Sequence, residues 1–284
     1  MAILLTTINA KWIHPSLALR LLKANLGEPK NGLEPHCEIL EFALRQPLAE
    51  KLEAIRARHP RILGISVSIW NHRATLELLE ALTPGSVSAP IVILGGPEVS
   101  YLPEDAEIFR YADYVIRGEG EIAFRELCQT LLDDKRPLAA RAPALPSKAL
   151  PRSTQFIDAA PVDLSRVRQA YHYYTDEDVA RKLLYVEASR GCAYRCDFCL
   201  SPQQAGLREF PLDAFLGEME TLIDRGQGQG RGAQTVKFLD RSFNLDIKRA
   251  VAIMEFFLRH IKARPFCVHF EMVPGRFPPE LREL

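Results

Sequence analysis

Ser189-Arg190-Gly191-Cys192-Ala193-Tyr194-Arg195-Cys196-Asp197-Phe198-Cys199 decides how this chain is read. Three cysteines fall within eight positions, spaced C-x3-C-x2-C, directly after the apolar run Leu183–Ala188. That run reads as a strand, so the cysteines lie in a strand-ending loop, where α/β barrels place their chemistry. Short loops that gather thiolates are how proteins hold iron–sulfur clusters. Three ligands on a four-iron cluster leave one iron open, which suits a substrate or cosubstrate that coordinates metal. A structural zinc site needs four ligands, and the next His and Cys (His260, Cys267, His269) come more than sixty residues later. A disulfide would leave an odd cysteine. Cys37, Cys128 and Cys267 lie in apolar segments and read as small buried hydrophobes.

Downstream of the loop the βα pattern continues. Phe215, Met219 and Leu222 mark a helix, Gly226–Gly232 a glycine-rich turn, Thr235–Leu239 a strand, Ile247–Ile261 a helix and Phe266–Met272 a strand. Two βα units and a third strand cannot close a barrel. The expectation is a partial barrel over 183–284, truncated or completed by a part not present here.

Upstream, strand and helix also alternate. Ile3–Ile8, Cys37–Ala43, Ile62–Ile69, Pro90–Leu94 and Tyr114–Ile116 read as strands. Leu17/Leu21/Leu22, Leu48–Arg58, Leu76/Leu79/Leu82 and Phe124/Cys128/Leu132 mark helices between and after them. Five such units predict a parallel, doubly wound sheet over residues 1–136, with ligands beyond the carboxyl ends of its strands. Four loops occupy that edge: Asn9–Ser16, Ser68–His72, Gly95–Ser100 and Gly118–Glu121. The span 137–182 holds Pro137, Pro143, Pro146, Pro151 and Pro161 and reads as a linker, with a short helix around Leu164–Tyr171.

The 284 residues carry 36 basic and 36 acidic side chains, so net charge gives no argument for nucleic acid or an anionic membrane. No apolar run approaches a membrane span, and Met1–Leu5 lacks the basic region of a secretory signal, which places the protein in the cytoplasm.

Cys192, Cys196, Phe198 and Cys199 match every element of C-x3-C-x-aromatic-C, and the chain here resembles the radical SAM (S-adenosylmethionine) superfamily. The resemblance implies that the three cysteines bind a [4Fe-4S] cluster whose open iron takes the amino and carboxylate groups of SAM. It implies that Phe198 packs near the adenine and that an external reductant, such as flavodoxin or ferredoxin, supplies the electron. Reductive cleavage then yields a 5'-deoxyadenosyl radical. The superfamily's Gly-Gly-Glu segment is replaced by Leu239-Asp240-Arg241-Ser242-Phe243-Asn244. Asp240 is a candidate for the SAM amino contact, and equally for a helix cap or a salt bridge to Arg241. Glu271 is a further candidate for a polar contact to SAM.

The doubly wound domain ahead of the motif resembles the cobalamin-binding domain of B12-dependent radical SAM enzymes, on Gly95-Gly96-Pro97-Glu98, Arg117-Gly118-Glu119-Gly120-Glu121 and the opening Asn9-Ala10-Lys11-Trp12-Ile13-His14-Pro15. That likeness implies cobalamin contacts from Asn9, Trp12, Ser68, Gly95, Gly96, Gly118 and Glu119. The Asp-x-His-x-x-Gly cobalt-ligand motif is absent, and His14 reads as a loop histidine that makes hydrogen bonds. A Rossmann dinucleotide site lacks its G-x-G-x-x-G, and a response-regulator domain lacks a phosphoacceptor Asp in Ser66–Asn71. The expected activity is methyl transfer to an unactivated centre. The alternatives are a non-methylating rearrangement, a SAM enzyme with a vestigial B12 domain, and a redox or electron-transfer protein.

Overall fold

A computed structural model describes residues 1–27, 32–82, 89–133, 154–199, 206–225 and 232–284. Most of the glycine-rich turn and four of the linker prolines named above lie outside these residues. The chain forms two compact units, Met1–Trp12 with Ala18–Val162, and Ile13–Leu17 with Asp163–Leu284.

The first unit is built on a six-stranded sheet of order β2-β1-β3-β4-β5-β6, every pairing parallel. Its strands are β1 Ile3–Asn9, β2 Cys37–Ala43, β3 Ile62–Ser66, β4 Ile91–Gly95, β5 Tyr114–Gly118 and β6 Gln155–Ala159. Its helices are α1 Leu17–Ala24, α2 Leu48–Arg56, α3 His72–Leu82 and α4 Gly120–Asp133. Alternate residues of the central strands feed opposite layers, as the period-2 pleat requires. Leu4, Ile8, Leu63, Ile65, Val92 and Leu94 pack with Leu78 and Leu79 of α3. Ile3, Leu5, Ile62, Ile91 and Ile93 pack with Leu19 of α1 and with Phe124 and Cys128 of α4. Burial on both faces explains why these strands read as continuous apolar runs. The order places the switch point between the parallel strands β1 and β3, from which later strands are added on opposite sides of the sheet.

Five strands were expected, and the sixth lies within the span read as a linker. β6 pairs along its whole length with β5. It is anchored by Thr154, whose Oγ1 donates to the carbonyls of Phe109 and Ala112 at 2.7 and 3.1 Å. As an edge strand it keeps Gln155 and Asp158 exposed and carries little apolar pattern. The first unit therefore runs to Val162, and the second takes up at Asp163. In place of the expected helix at Leu164–Tyr171 the chain makes two 3-10 turns, Leu164–Arg166 and Tyr171–Tyr173.

In the second unit, β7 Leu183–Val186, β10 Thr235–Phe238 and β11 Cys267–His269 form a parallel sheet of order β11-β10-β7. Two short strands, β8 Ser189–Arg190 and β9 Arg208–Glu209, pair antiparallel. The helices are α5 Asp176–Arg181, α6 Leu212–Asp224, α7 Ile247–Ala263 and α8 Pro279–Arg282. Phe238 is the aromatic centre, with ring centroids 5.8 Å from Phe215 of α6, 5.6 Å from Phe257 of α7 and 4.6 Å from Phe270. Leu184, Val186 and Val236 are buried, while Tyr185 and Lys237 on the alternate face are half-buried.

Candidate functional site

The cysteine loop leaves the carboxyl end of β7 through a built neck. Its two limbs are β8 and β9, in register Ser189↔Glu209 and Arg190↔Arg208. The Phe210 amide donates to the Ala188 carbonyl at 3.0 Å and closes the neck one step further. Gly191 sits at φ +84°, and a Cβ there would lie 2.1 Å from the Gly206 carbonyl oxygen. Only glycine combines that backbone with that approach.

Beyond the neck, Cys192 and Cys199 are half-buried, Cys196 is exposed, and none of the three forms a disulfide. The Cys199 amide donates to the Cys196 carbonyl at 3.0 Å and closes a tight turn between the last two cysteines. Among the described residues, the groups close enough to share a single ion are Glu220, Asp224 and His260, and the three cysteines are not so gathered. Phe198 projects beside the cysteines, 92% exposed. The other cysteines differ in kind: burial pushes the Cys37 thiol up to about 12 and raises Cys128 likewise, which keeps both protonated and inert. Cys267 is exposed on β11, contrary to the expectation that it is buried. The reason is that β11 is the edge of its sheet.

Asp240, just past β10, is 2% exposed. Its Oδ2 accepts from the Ala188 amide at 3.0 Å and its Oδ1 from the Ser189 hydroxyl at 2.5 Å. Burial pushes its carboxyl up to about 6, against the two hydrogen bonds, which lower it. Two of the roles open to it belong to other residues. The cap of α7 is Asp246, whose Oδ1 accepts from the Arg249 amide at 3.1 Å. Arg241 pairs with Glu271 at 3.1 Å. Glu271 thus stands two residues past the end of β11, already engaged with a cation.

Residues that the motif search passed over complete the scaffold. Arg249 Nη2 donates to the carbonyls of Ala188 and Phe210 at 3.1 and 2.7 Å. The buried Tyr171 hydroxyl donates to the Glu187 carbonyl and accepts from the Glu187 amide, each at 3.1 Å. Arg190 pairs with Glu187 at 2.6 Å. His14, grouped with this unit, places Nδ1 2.7 Å from the Tyr185 hydroxyl, as a hydrogen-bonding loop histidine should. The available signal was polar residues within or beside apolar strands, which must be satisfied when buried.

In the first unit the predicted residues collect at the carboxyl edge of the sheet, in two kinds. Asn9, Ser68 and Glu119 are buried and engaged within the protein. Asn9 Nδ2 donates to Glu41 Oε1 at 3.0 Å, and Glu41 also holds Arg20 at 2.8 Å. The Ser68 amide donates to Asn71 Oδ1 at 2.8 Å, and Asn71 Nδ2 reaches the Ile8 carbonyl at 3.0 Å, tying β1 to the β3 loop. Glu119 Oε2 accepts from the Val162 amide at 2.9 Å. Gly96 (φ +104°) would place a Cβ 2.5 Å from the Val67 carbonyl, and Gly118 (φ +85°) would place one 2.7 Å from that of Ala159. A Cβ at Gly95 meets only one atom, at 3.7 Å, so that glycine leaves room at the edge. Large apolar side chains stand open beside it: Trp12 at 45%, Trp70 at 54%, and Ile69 and Tyr101 also exposed.

Residues 3–128 match the family described as the B12 binding domain. The first unit is similar to a B12-binding domain over those residues. The chain is also 31% identical over 176 residues to a cobalamin-dependent radical SAM methyltransferase, TokK of Streptomyces tokunonensis, covering 57% of this chain and 25% of that protein. It is 28% identical over 213 residues to an uncharacterised methyltransferase of Pyrococcus horikoshii, covering 70% of this chain and 43% of that one. The chain thus spans between a quarter and a half of the length of these relatives. Two solved structures share the fold. The cobalamin-dependent SAM radical enzyme OxsB superposes at TM-score 0.67 with 17% identity, over 93% of this chain and 37% of that one. The radical SAM methyltransferase TsrM of Kitasatospora setae superposes at 0.61 with 22% identity, over 100% of this chain and 56% of its own. The α/β architecture and the likeness to B12-dependent radical SAM proteins agree with the sequence reading. No described helix is long and apolar enough to cross a membrane.

Proposed function

We propose that this chain is the cofactor-binding portion of a cobalamin-dependent radical SAM enzyme, and that the reaction it serves is methyl transfer to an unactivated centre. The observation that carries this is the C-x3-C-x2-C loop at the end of β7, in the same chain as a B12-binding domain. The donor set fits the cluster: three free thiols in an accessible loop, which leave a fourth iron for SAM. The edge of the first unit fits a corrin: open aromatic surface beside glycine-permitted close backbone approach. When bound, the cluster supplies the electron that cleaves SAM, and cobalamin supplies a methyl carrier.

The protein's residues orient these groups. Cys192, Cys196 and Cys199 hold three irons, and the exposed ring of Phe198 stacks near the adenine. Glu271, steered by Arg241, is placed to accept a polar hydrogen of SAM. Asp240 keeps lone pairs beyond the two it uses and remains a candidate for the SAM amino group. Trp12, Gly95, Gly96 and Gly118 line the corrin face, while Asn9, Ser68 and Glu119 hold the loops that form it. An external reductant such as flavodoxin or ferredoxin delivers the electron, and the protein acts in the cytoplasm.

The test is anaerobic reconstitution with iron, sulfide and hydroxocobalamin, followed by metal analysis of the desalted chain. About four irons per chain are expected, as the cluster type requires, with cobalt retained at one per chain. Bound zinc in place of iron would overturn the cluster reading, and iron without cobalt would leave a radical SAM protein with a vestigial B12 domain.

A further inference from the structure

We propose that Asp240 and Arg249 are a pair of positioning residues that clamp the neck of the cysteine loop and set how firmly the loop retains its metal. The proposal rests on the iron–sulfur reading above. Both residues come from the next βα unit, Asp240 from the end of β10 and Arg249 from the first turn of α7. Both converge on one residue, Ala188, and hold the two peptide groups that flank it. The Ala188 amide is taken by Asp240 Oδ2 at 3.0 Å, and the Ala188 carbonyl by Arg249 Nη2 at 3.1 Å and the Phe210 amide at 3.0 Å. Each also reaches one residue further: Asp240 to the Ser189 hydroxyl on the first limb, Arg249 to the Phe210 carbonyl, 2.7 Å away, on the second. The guanidinium stands 3.9 Å from Glu209 as well.

Three features point to position rather than general packing. Hydrogen bonds that involve a charged group are the strong ones. They fall where the two limbs leave the sheet, at Ala188 and Phe210, with Ala188 four residues before Cys192. A two-residue ladder such as β8–β9 is marginal by itself. Without the clamp, the limbs keep that ladder, the Phe210–Ala188 bond and the Arg190 guanidinium 5.6 Å from the Phe210 ring centroid. Opening the neck separates the limb that leads to Cys192 from the one that closes the loop, and the cluster is then reached from the side.

The experiment compares cluster loss to an iron chelator, under anaerobic conditions and well below the melting temperature, in the wild-type chain and in Asp240→Ala, Asp240→Asn, Arg249→Ala and Arg249→Lys. The two alanine variants should lose iron faster by about ten-fold or more, the factor that one charge-assisted hydrogen bond implies. Asp240→Asn keeps an acceptor for the Ala188 amide and should return close to wild type. Arg249→Lys keeps a charged nitrogen donor but on a shorter stem without the rigid planar head that aims Nη2 between the two carbonyls, and should fall between. A control, Leu222→Ala in α6, removes a buried side chain away from the neck. It should lower the melting temperature without the same acceleration. Rates in the alanine variants within two-fold of wild type would overturn the proposal, as would equal acceleration in the control. If the wild-type chain takes up no cluster, the iron–sulfur reading fails separately. Hydrogen exchange on the metal-free chain then decides the clamp: slow exchange at Ala188 and Phe210, lost in both alanine variants, supports it, and unchanged exchange refutes it.

Discussion

Replacing Asp240 by Asn should make the metal-free chain more stable at neutral pH relative to wild type, and the gain should vanish in acid. Asp240 is almost fully buried, and its pKa is pushed up from 3.8 to about 6 by loss of hydration, only partly offset by the Ala188 amide and Ser189 hydroxyl. An acid whose folded pKa is raised binds its proton more tightly in the folded state. Its contribution is therefore fully present below pH 3.8 and is lost as pH rises through about 6. A rise from 3.8 to about 6 corresponds to roughly 3 kcal/mol between the two protonation states. Asn copies the neutral carboxyl in shape and keeps one acceptor, so the variant lacks this loss. The assay is urea unfolding of both proteins at pH 4 and pH 7, followed by far-UV circular dichroism. The difference between variant and wild type should swing toward the variant by roughly 2–2.5 kcal/mol from pH 4 to pH 7, since pH 4 already lies just above the unfolded pKa. Other titrations cancel because they are common to both proteins. A difference that stays flat within about 0.5 kcal/mol, the usual scatter of such comparisons, would refute the buried-carboxyl argument.

Gly96→Ala forces a Cβ to within 2.5 Å of the Val67 carbonyl at φ +104°. It should cost at least about 1–2 kcal/mol, read as a lower melting temperature. Arg20→Met leaves Glu41 buried without its cation and should destabilise the chain by about 3–5 kcal/mol, measured by urea denaturation. Trp12→Ala and Trp70→Ala remove exposed rings at the sheet edge and should leave the melting temperature nearly unchanged while cobalamin retention falls, followed by absorbance after desalting. Phe238→Ala removes the ring that joins α6 and α7 to the second sheet and should cost about 3–5 kcal/mol, seen as a lower melting temperature of the metal-free chain.

Elements buried on both faces were legible from residue pattern. Cys37–Ala43 is bounded to the residue although Glu38 and Glu41 interrupt it, because Ile39, Leu40, Phe42 and Ala43 still supply a short apolar run before the polar stretch from Arg45. β3 was read three residues too long, since Val67, Ser68 and Ile69 continue the apolar pattern after the chain has turned toward Asn71. β6 was missed because an edge strand needs few apolar residues, and Pro151 and Pro161 bracket it. The same contrast holds at the sites. The cysteine spacing is local and carries its chemistry on its face. Asp240 was noticed, yet its partners Ala188 and Ser189 lie 52 and 51 residues away, a pairing that only the parallel register of β7 and β10 creates. Arg249 gave no local signal at all, since an Arg in the first turn of a helix ordinarily faces solvent. Glu119 and Asn9 sat where a ligand edge was expected, but the structure gives their polar atoms to Val162 and Glu41.

The central claim is an open-iron cluster at Cys192, Cys196 and Cys199. Its most direct test is electron paramagnetic resonance of the dithionite-reduced, reconstituted chain, with and without SAM, beside Cys196→Ala. The account predicts a reduced [4Fe-4S] signal whose g-values shift when SAM is added and which is lost in the variant. A signal that persists in Cys196→Ala, or one indifferent to SAM in the wild-type chain, would contradict it.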